Sequence, residues 1–195
     1  MVSATQGNSL VLRGVHLIVV HQEDVNAECG RYGSPLNAAS YEGRPEATRL
    51  LLDHGADVNA SRGAVPLWRA YGGRRLEVMR LLLAHGADAD IRGDHVIGTM
   101  LHHASYKGRA EVVRLLLQHR ADVNATGDQG FTPLHFACMF GRTKVVQLLL
   151  EYGADMDAKS RFDISAFELA GSQGHEDILQ LMLEHREVGW MASNG

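Results

Sequence analysis

A phrase of three leucines, two intervening residues and then Gly-Ala-Asp, once Arg-Ala-Asp, recurs down this chain, and its spacing constrains the fold more than any other feature. It runs from Leu50-Leu51-Leu52 to Asp57, Leu81-Leu82-Leu83 to Asp88, Leu115-Leu116-Leu117 to Asp122 and Leu148-Leu149-Leu150 to Asp155, so the closing aspartates stand 31, 34 and 33 residues apart. An internal period in this range belongs to stacked helical hairpins, each burying its apolar faces only against its neighbours. Stacks of this kind seldom do chemistry; they bind.

Local signals divide each unit into two helices. In the second half, apolar residues fall at helical spacing, as in Val112, Val113, Leu115, Leu116 and Leu117, and the run stops at Gly55, Gly86 or Gly153. Glycine there suits the left-handed residue that ends a helix. In the first half, Ser34-Pro35 and Thr132-Pro133 set a capping hydroxyl before a proline whose missing N–H costs nothing at the first helical position. Pro66 and Pro45 follow the same logic, which puts all four prolines at helix starts. Polar, Gly-rich stretches such as 124–130 separate the units and read as projecting turns.

Composition narrows the partners. The chain of 195 residues carries 19 basic against 23 acidic side chains, a net charge of −4 that excludes a phosphate backbone as the main ligand. Cys29 and Cys138 lie 109 positions apart in different units, which keeps them apart in a stack and points to free thiols in a reducing compartment. Leu10 to Val20 is interrupted by Arg13, Gly14 and His16 and is too short to span a bilayer. The expectation is a soluble, monomeric protein inside the cell, in cytoplasm or nucleus, with no membrane contact.

Asp122-Val123-Asn124-Ala125, then Gly130-Phe131-Thr132-Pro133-Leu134-His135-Phe136-Ala137, then Gly141 to Leu150 resemble the ankyrin repeat nearly word for word. The likeness runs over about residues 17–188, and Tyr32 to Ser40 resembles the wording of ankyrin arrays common in filamentous fungi. The resemblance implies an all-α fold, an ankyrin-repeat solenoid of stacked antiparallel helix pairs with hairpin fingers. The expected organisation is an N-terminal capping half-repeat over 1–27, five repeats in one continuous domain over 28–188, and a tail over 189–195, with a capping helix from Ser9 to Val20. Five first helices begin at Ser34, Val65, Thr99, Thr132 and Ser165. The last repeat replaces Pro by Ala166 and His by Glu168, a polar departure expected of an end that faces water.

Several departures bear on local structure. Asp57 to Pro66 spans 9 residues where Asp24 to Pro35 and Asp122 to Pro133 span 11, so the second finger is expected to be stunted; Asp88 to Met100 spans 12 and gives its finger an extra residue around 92–95. Arg120 stands where glycine ends the other helices, so either that helix ends differently or the stack tolerates a left-handed arginine at about 1 kcal/mol. Arg186 repeats the substitution at the C-terminal end, where fraying makes it cheap.

Eleven histidines invite a metal, and geometry argues against one. His54, His85, His119 and His185 occupy one column, but packed helices lie about 8–10 Å apart, too far for several imidazoles to share an ion at about 2.0–2.1 Å. Their expected role is that of solvated polar groups near helix C-termini. His102 and His135 fall in the Thr-Pro-Leu-His position, where the resemblance implies local support of the turn. His95, His102 and His103 form the one local cluster, and adjacent helical residues point about 100° apart, so His102 and His103 do not chelate together. Cys138 sits at a small, buried position and reads as inert. No catalytic residue, cofactor or metal is assigned.

The resemblance places partner contacts on a concave groove built from the fingers and the exposed ends of the first helices. Those positions here are Tyr41, Glu42, Trp68, Tyr71, Tyr106, Lys107, Met139 and Phe140, with Arg31, His95, Gln129, Phe131 and Phe162 on the fingers. Aromatic residues and methionine are the types on which interface energy concentrates. The leading expectation is a non-enzymatic module that binds a protein through this groove. The alternatives are a groove that binds, or even transforms, a small molecule between the same aromatics, and a regulatory segment of a larger protein.

Overall fold

The structure, a computed structural model, describes residues 24–27, 32–60, 65–93 and 97–194, with side chains as far as 187. The expected capping helix, Cys29, Arg31, His95 and residues 61–64 and 94–96 of the two irregular fingers lie outside the described residues. Among the described residues there are ten α-helices and no strand. The two isolated bridges, Arg92–Thr99 and Lys159–Ser165, each close the base of a finger.

The chain divides into two compact units, Met1–Asp88 and Ala89–Gly195. The first holds α1 (Pro35–Glu42), α2 (Pro45–Asp53), α3 (Pro66–Gly72) and α4 (Leu76–Ala84). The second holds α5 (Met100–Lys107), α6 (Ala110–Gln118), α7 (Pro133–Met139), α8 (Thr143–Glu151), α9 (Ala166–Ser172) and α10 (Glu176–Asn194). Turns of two or three residues fold each pair back on itself. In both units first helices pack on first helices and second on second.

The leucine phrase supplies the core. The middle leucine of each triplet, Leu51, Leu82, Leu116 and Leu149, is fully buried, as are Leu36, Leu67, Leu101 and Leu134 on the first helices to within 1%. Burying one such side chain stabilises by about 1.5–3 kcal/mol, so every repeat depends on the neighbours that cover it. Pro35, Pro45, Pro66 and Pro133 each open a helix as the sequence indicated, and the Ser34 hydroxyl accepts the Asn37 N–H at 3.2 Å.

The second helices of four repeats end identically. The residue after the cap is left-handed, with φ of 83° at Gly55, 86° at Gly86, 65° at Arg120 and 83° at Gly153. Just beyond it, the N–H of Ala56, Ala87, Ala121 or Ala154 returns to the carbonyl of the middle leucine at 2.9–3.1 Å. Arg120 is therefore held in the strained conformation rather than escaping it.

Each repeat is also laced to the next by one side chain. Asn26, Asn59 and Asn124 accept the N–H of Asp57, Asp88 and Asp155 at 2.8–2.9 Å and donate to the carbonyls of Gly55, Gly86 and Gly153 at 3.2–3.4 Å. At the remaining two joints aspartate replaces asparagine, and arginine replaces the glycine one repeat on: Asp90 with Arg120, and Asp157 with Arg186. Asp90 takes the Asp122 N–H on both carboxylate oxygens at 3.0 Å, and Asp157 pairs with the Arg186 guanidinium. A carboxylate has no N–H to give to the carbonyl of the residue that caps the next helix.

The C-terminal repeat departs from expectation. Helix α10 runs on to Asn194, through the assigned tail, so His185 and Arg186 sit within a helix and not at a fraying end. Nor is its outer face wholly polar: Phe167 and Leu183, at positions equivalent to Leu134 and Leu150, are 38% and 47% exposed.

Candidate protein-binding face

The face is positioned by two buried histidines. The Thr99 N–H donates to His102 Nδ1 at 3.1 Å, which leaves the ring proton on Nε2, and Nε2 donates to the Phe131 carbonyl of the following finger at 3.1 Å. His135 repeats the arrangement: Thr132 N–H to Nδ1 at 3.1 Å, and Nε2 to the Ile164 carbonyl at 3.0 Å. Burial, which penalises the imidazolium, pushes His102 down to about 4 and lowers His135 in the same way. Each neutral ring thus ties the start of its helix to the next finger and fixes where that finger's aromatic residue stands.

In the second unit the aromatic residues form one row. Phe162, 60% exposed, lies 6.3 Å from Phe131, ring centre to ring centre, and Phe131 lies 5.7 Å from Phe136. Phe140 follows one helical turn beyond Phe136 on α7, is 39% exposed, and meets the Tyr106 ring edge-on at 4.5 Å. The Lys107 ammonium sits 4.4 Å above the Tyr106 ring. Arg142 Nε donates to the Tyr106 carbonyl at 3.1 Å, reaching across Gly108, where φ is 71° and a Cβ would lie 2.9 Å from Arg142 Cδ.

Of the positions expected from sequence, Tyr106, Lys107, Phe131, Phe140 and Phe162 come together in this row, with Met139 half-buried beside Phe140 and Gln129 exposed on the finger. The Gln129 carbonyl accepts the Arg161 N–H at 2.8 Å, which joins adjacent fingers. Tyr41 and Glu42 belong to the other unit, where Tyr41 stacks on Tyr32 at 5.2 Å and Glu42 pairs with Arg44 at 3.6 Å. Tyr71 is a correction. It is 3% exposed, because five residues past Pro66 it stands in register with fully buried Cys138 past Pro133, and it meets half-buried Trp68 edge-on at 5.6 Å. Sequence reasoning missed Phe136 and Arg142. The signals were there: Phe136 precedes Phe140 by one turn, and Arg142 repeats the Gly-Arg pair that follows Tyr41 and Tyr106 as Gly43-Arg44 and Gly108-Arg109.

A family model described as ankyrin repeats in three copies matches residues 1–93 and again 93–160. The chain belongs to the ankyrin-repeat family. No curated protein matches it. Ankyrin repeats generally mediate protein–protein interaction, and proteins built from them are typically non-catalytic scaffolds.

The rest of the described chemistry of this ankyrin-repeat chain is structural. Cys138 is free and fully buried; burial pushes its thiol up to about 12, far from a nucleophile's range, and it lies 3.8 Å from Met182 Sδ. His54 and His85 cap their own helices, each with Nδ1 2.8 Å from a carbonyl of the last turn. Among the described residues no group of three or more His, Cys, Asp or Glu is placed to hold a metal ion, and no helix is long and apolar enough to cross a membrane. Two surface cavities, of about 400 Å³ beside Phe167 and Leu183 and about 470 Å³ beside Arg49 and Leu50, are lined by other residues than the aromatic row.

Proposed function

We propose that this ankyrin-repeat protein is a non-enzymatic binding module, acting inside the cell in cytoplasm or nucleus, and that it takes a protein partner along the aromatic row of its second unit. The carrying observation is that Phe162 and Phe140 are exposed and each stands in ring contact with a half-buried aromatic neighbour, Phe131 and Tyr106 respectively. Exposed aromatic residues in contact with each other are the kind of surface on which a few side chains carry most of a binding energy. The mechanism is rigid display. With each finger tied down by the buried histidine of the preceding helix, little conformational freedom is lost on association, so modest contacts become useful affinity.

The test is selection of ligands from a random peptide library against the whole chain, followed by affinity measurement on variants. Phe140→Ala and Tyr106→Ala are expected to weaken selected ligands by at least about 1 kcal/mol each, with melting temperatures nearly unchanged. Arg114→Ala and Gln147→Ala, on the second helices, are expected to leave affinity unaltered. Equal binding by both sets would move the binding surface elsewhere.

A further inference from the structure

We propose that the Tyr106 end of the row docks an acidic protein segment that also carries an apolar side chain, the apolar group resting on Tyr106 and Phe140 and a carboxylate meeting Lys107. This rests on the protein-binding reading above and adds the chemistry of the ligand.

The charge distribution supplies the argument. In the second unit, the turns that end the three first helices, 103–110, 138–143 and 171–175, contain no aspartate or glutamate; they hold Lys107, Arg109 and Arg142 with His103 and His175. Asp177 reaches the second of these turns, where it accepts a hydrogen bond from the Thr143 hydroxyl, whereas the 103–110 turn carries Lys107 and Arg109 with no aspartate or glutamate of its own in a chain of net charge −4. Lys107 is exposed, sits on the Tyr106 ring and has no ion-pair partner among the described residues. Arg142 uses its Nε on the Tyr106 carbonyl, which brings its positive charge to the same aromatic pair. The charged neighbours that bear on His103 are Lys107 and Arg109, both cations, and they add to burial in lowering its pKa.

The first unit is mixed: its second turn, 69–75, also holds only cations, Arg69, Arg74 and Arg75, but its first turn carries an acid beside the tyrosine. Glu42 occupies the position equivalent to Lys107, and it is paired with Arg44 at 3.6 Å. The Phe131–Phe162 end of the row differs too, because Asp128 and Asp163 stand there beside Arg161. Within the aromatic row, complementarity to an acidic ligand is therefore confined to the Tyr106 end. An exposed ion pair contributes little affinity alone but selects the partner and speeds encounter, while the aromatic pair supplies the desolvated seat. Three Lys and Arg side chains over three turns are too sparse to follow a phosphate backbone, which favours a protein segment.

The experiment measures fluorescence anisotropy of short labelled peptides with the whole chain: one alternating Asp or Glu with Phe or Leu, its Asn and Gln counterpart, its Lys counterpart, and a single-stranded DNA of equal length. The acidic peptide is expected to bind most tightly. Lys107→Glu should weaken it about tenfold or more, equivalent to about 1.4 kcal/mol, Lys107→Arg should retain it, and Phe140→Ala should weaken it about fivefold. Circular dichroism melts establish that each variant is folded. The proposal is overturned if the amide peptide binds as well as the acidic one, if Lys107→Glu leaves the affinity unchanged, if the DNA binds more tightly, or if the acidic peptide fails to bind at about 1 mM. Amide or basic peptides whose binding depends on Phe140 would sink the acidic assignment alone; loss of Phe140 dependence for every peptide would sink the protein-binding face with it.

Discussion

The fourth repeat and the fifth carry the same design and finish it in opposite directions. In the fourth, His135 caps its own helix and reaches forward to the Ile164 carbonyl, Leu134 and Leu150 are covered to within 3%, and α8 stops at left-handed Gly153, whose carbonyl Asn124 holds from the repeat before. In the fifth, Glu168 caps the helix by taking the Ser165 N–H at 2.7 Å and turns back to Lys159 of its own finger at 3.2 Å. Phe167 and Leu183 are left partly exposed, and α10 runs on while Arg186 pairs with Asp157. An interior repeat is completed by its neighbour. The fifth closes on itself with charged pairs, because the Glu168 carboxylate that stands in place of the histidine has no proton to donate onward.

The largest expected contrast lies in the core. Leu149→Ala, at a site with neighbours on both sides, should cost about 2–5 kcal/mol in urea unfolding, and Leu183→Ala under about 1 kcal/mol. Comparable losses would mean that the terminal face is covered in solution.

The caps come next. His135→Ala removes a ring that serves both the Thr132 N–H and the Ile164 carbonyl, and leaving these buried groups unpaired should cost about 1–3 kcal/mol. Glu168→Ala should lower the melting temperature less, since its groups are replaced by water; a larger loss would invert the comparison.

Acid should separate the histidine-capped repeats, the third and the fourth, from the fifth by pH. His102 protonates near 4 when folded and near its ordinary 6.5 when unfolded, so the unfolded chain takes up the proton first. Stability is then full above about 6.5 and falls as pH drops toward 4, at up to about 1.4 kcal/mol per pH unit for each such histidine. Glu168, held down to about 2 chiefly by the Ser165 N–H, contributes above its ordinary 4.5 and is lost only between there and about 2. Unfolding free energies across pH 7 to 3 check this. Replacing His102 and His135 should flatten the upper part of the profile and leave the lower.

The smallest effect belongs to the joint at which Asp90 meets the end of the third repeat's second helix. Arg120→Gly relieves a left-handed arginine and should be neutral or stabilise by up to about 1 kcal/mol, and Asp90→Asn beside it should restore the donor that the joints at Asn26, Asn59 and Asn124 possess. A clear loss of stability in the double variant would show that the arginine makes a favourable contact.

Much of this was legible because it is local. A proline behind Ser34 or Thr132, a glycine after three leucines and a histidine two residues past Thr132-Pro133 act through backbone geometry within one turn, and they were read correctly. The face was legible only in part. Tyr71 and Phe140 look alike in sequence, both aromatic and near the end of a first helix of seven residues, yet one faces the core and the other solvent, since Tyr71 stands five residues past its helix-opening proline, in register with buried Cys138, and Phe140 stands seven past its own. The exposed Phe167 escaped notice for a related reason: its residue type announces a core, and exposure is a property of what stands opposite.

The sequence by itself determined the repeat period, the helix starts and stops, the all-α class and which leucines would be buried, because each follows from spacing and from forces acting over a few residues. Only the tertiary structure decided that Arg120 would bear positive φ, that α10 would continue past Arg186, that the chain would divide after Asp88, and that Phe162, Phe131, Phe140 and Tyr106 would line up. These are outcomes of packing between segments about 30 residues apart, where the position of one backbone depends on contacts made by another.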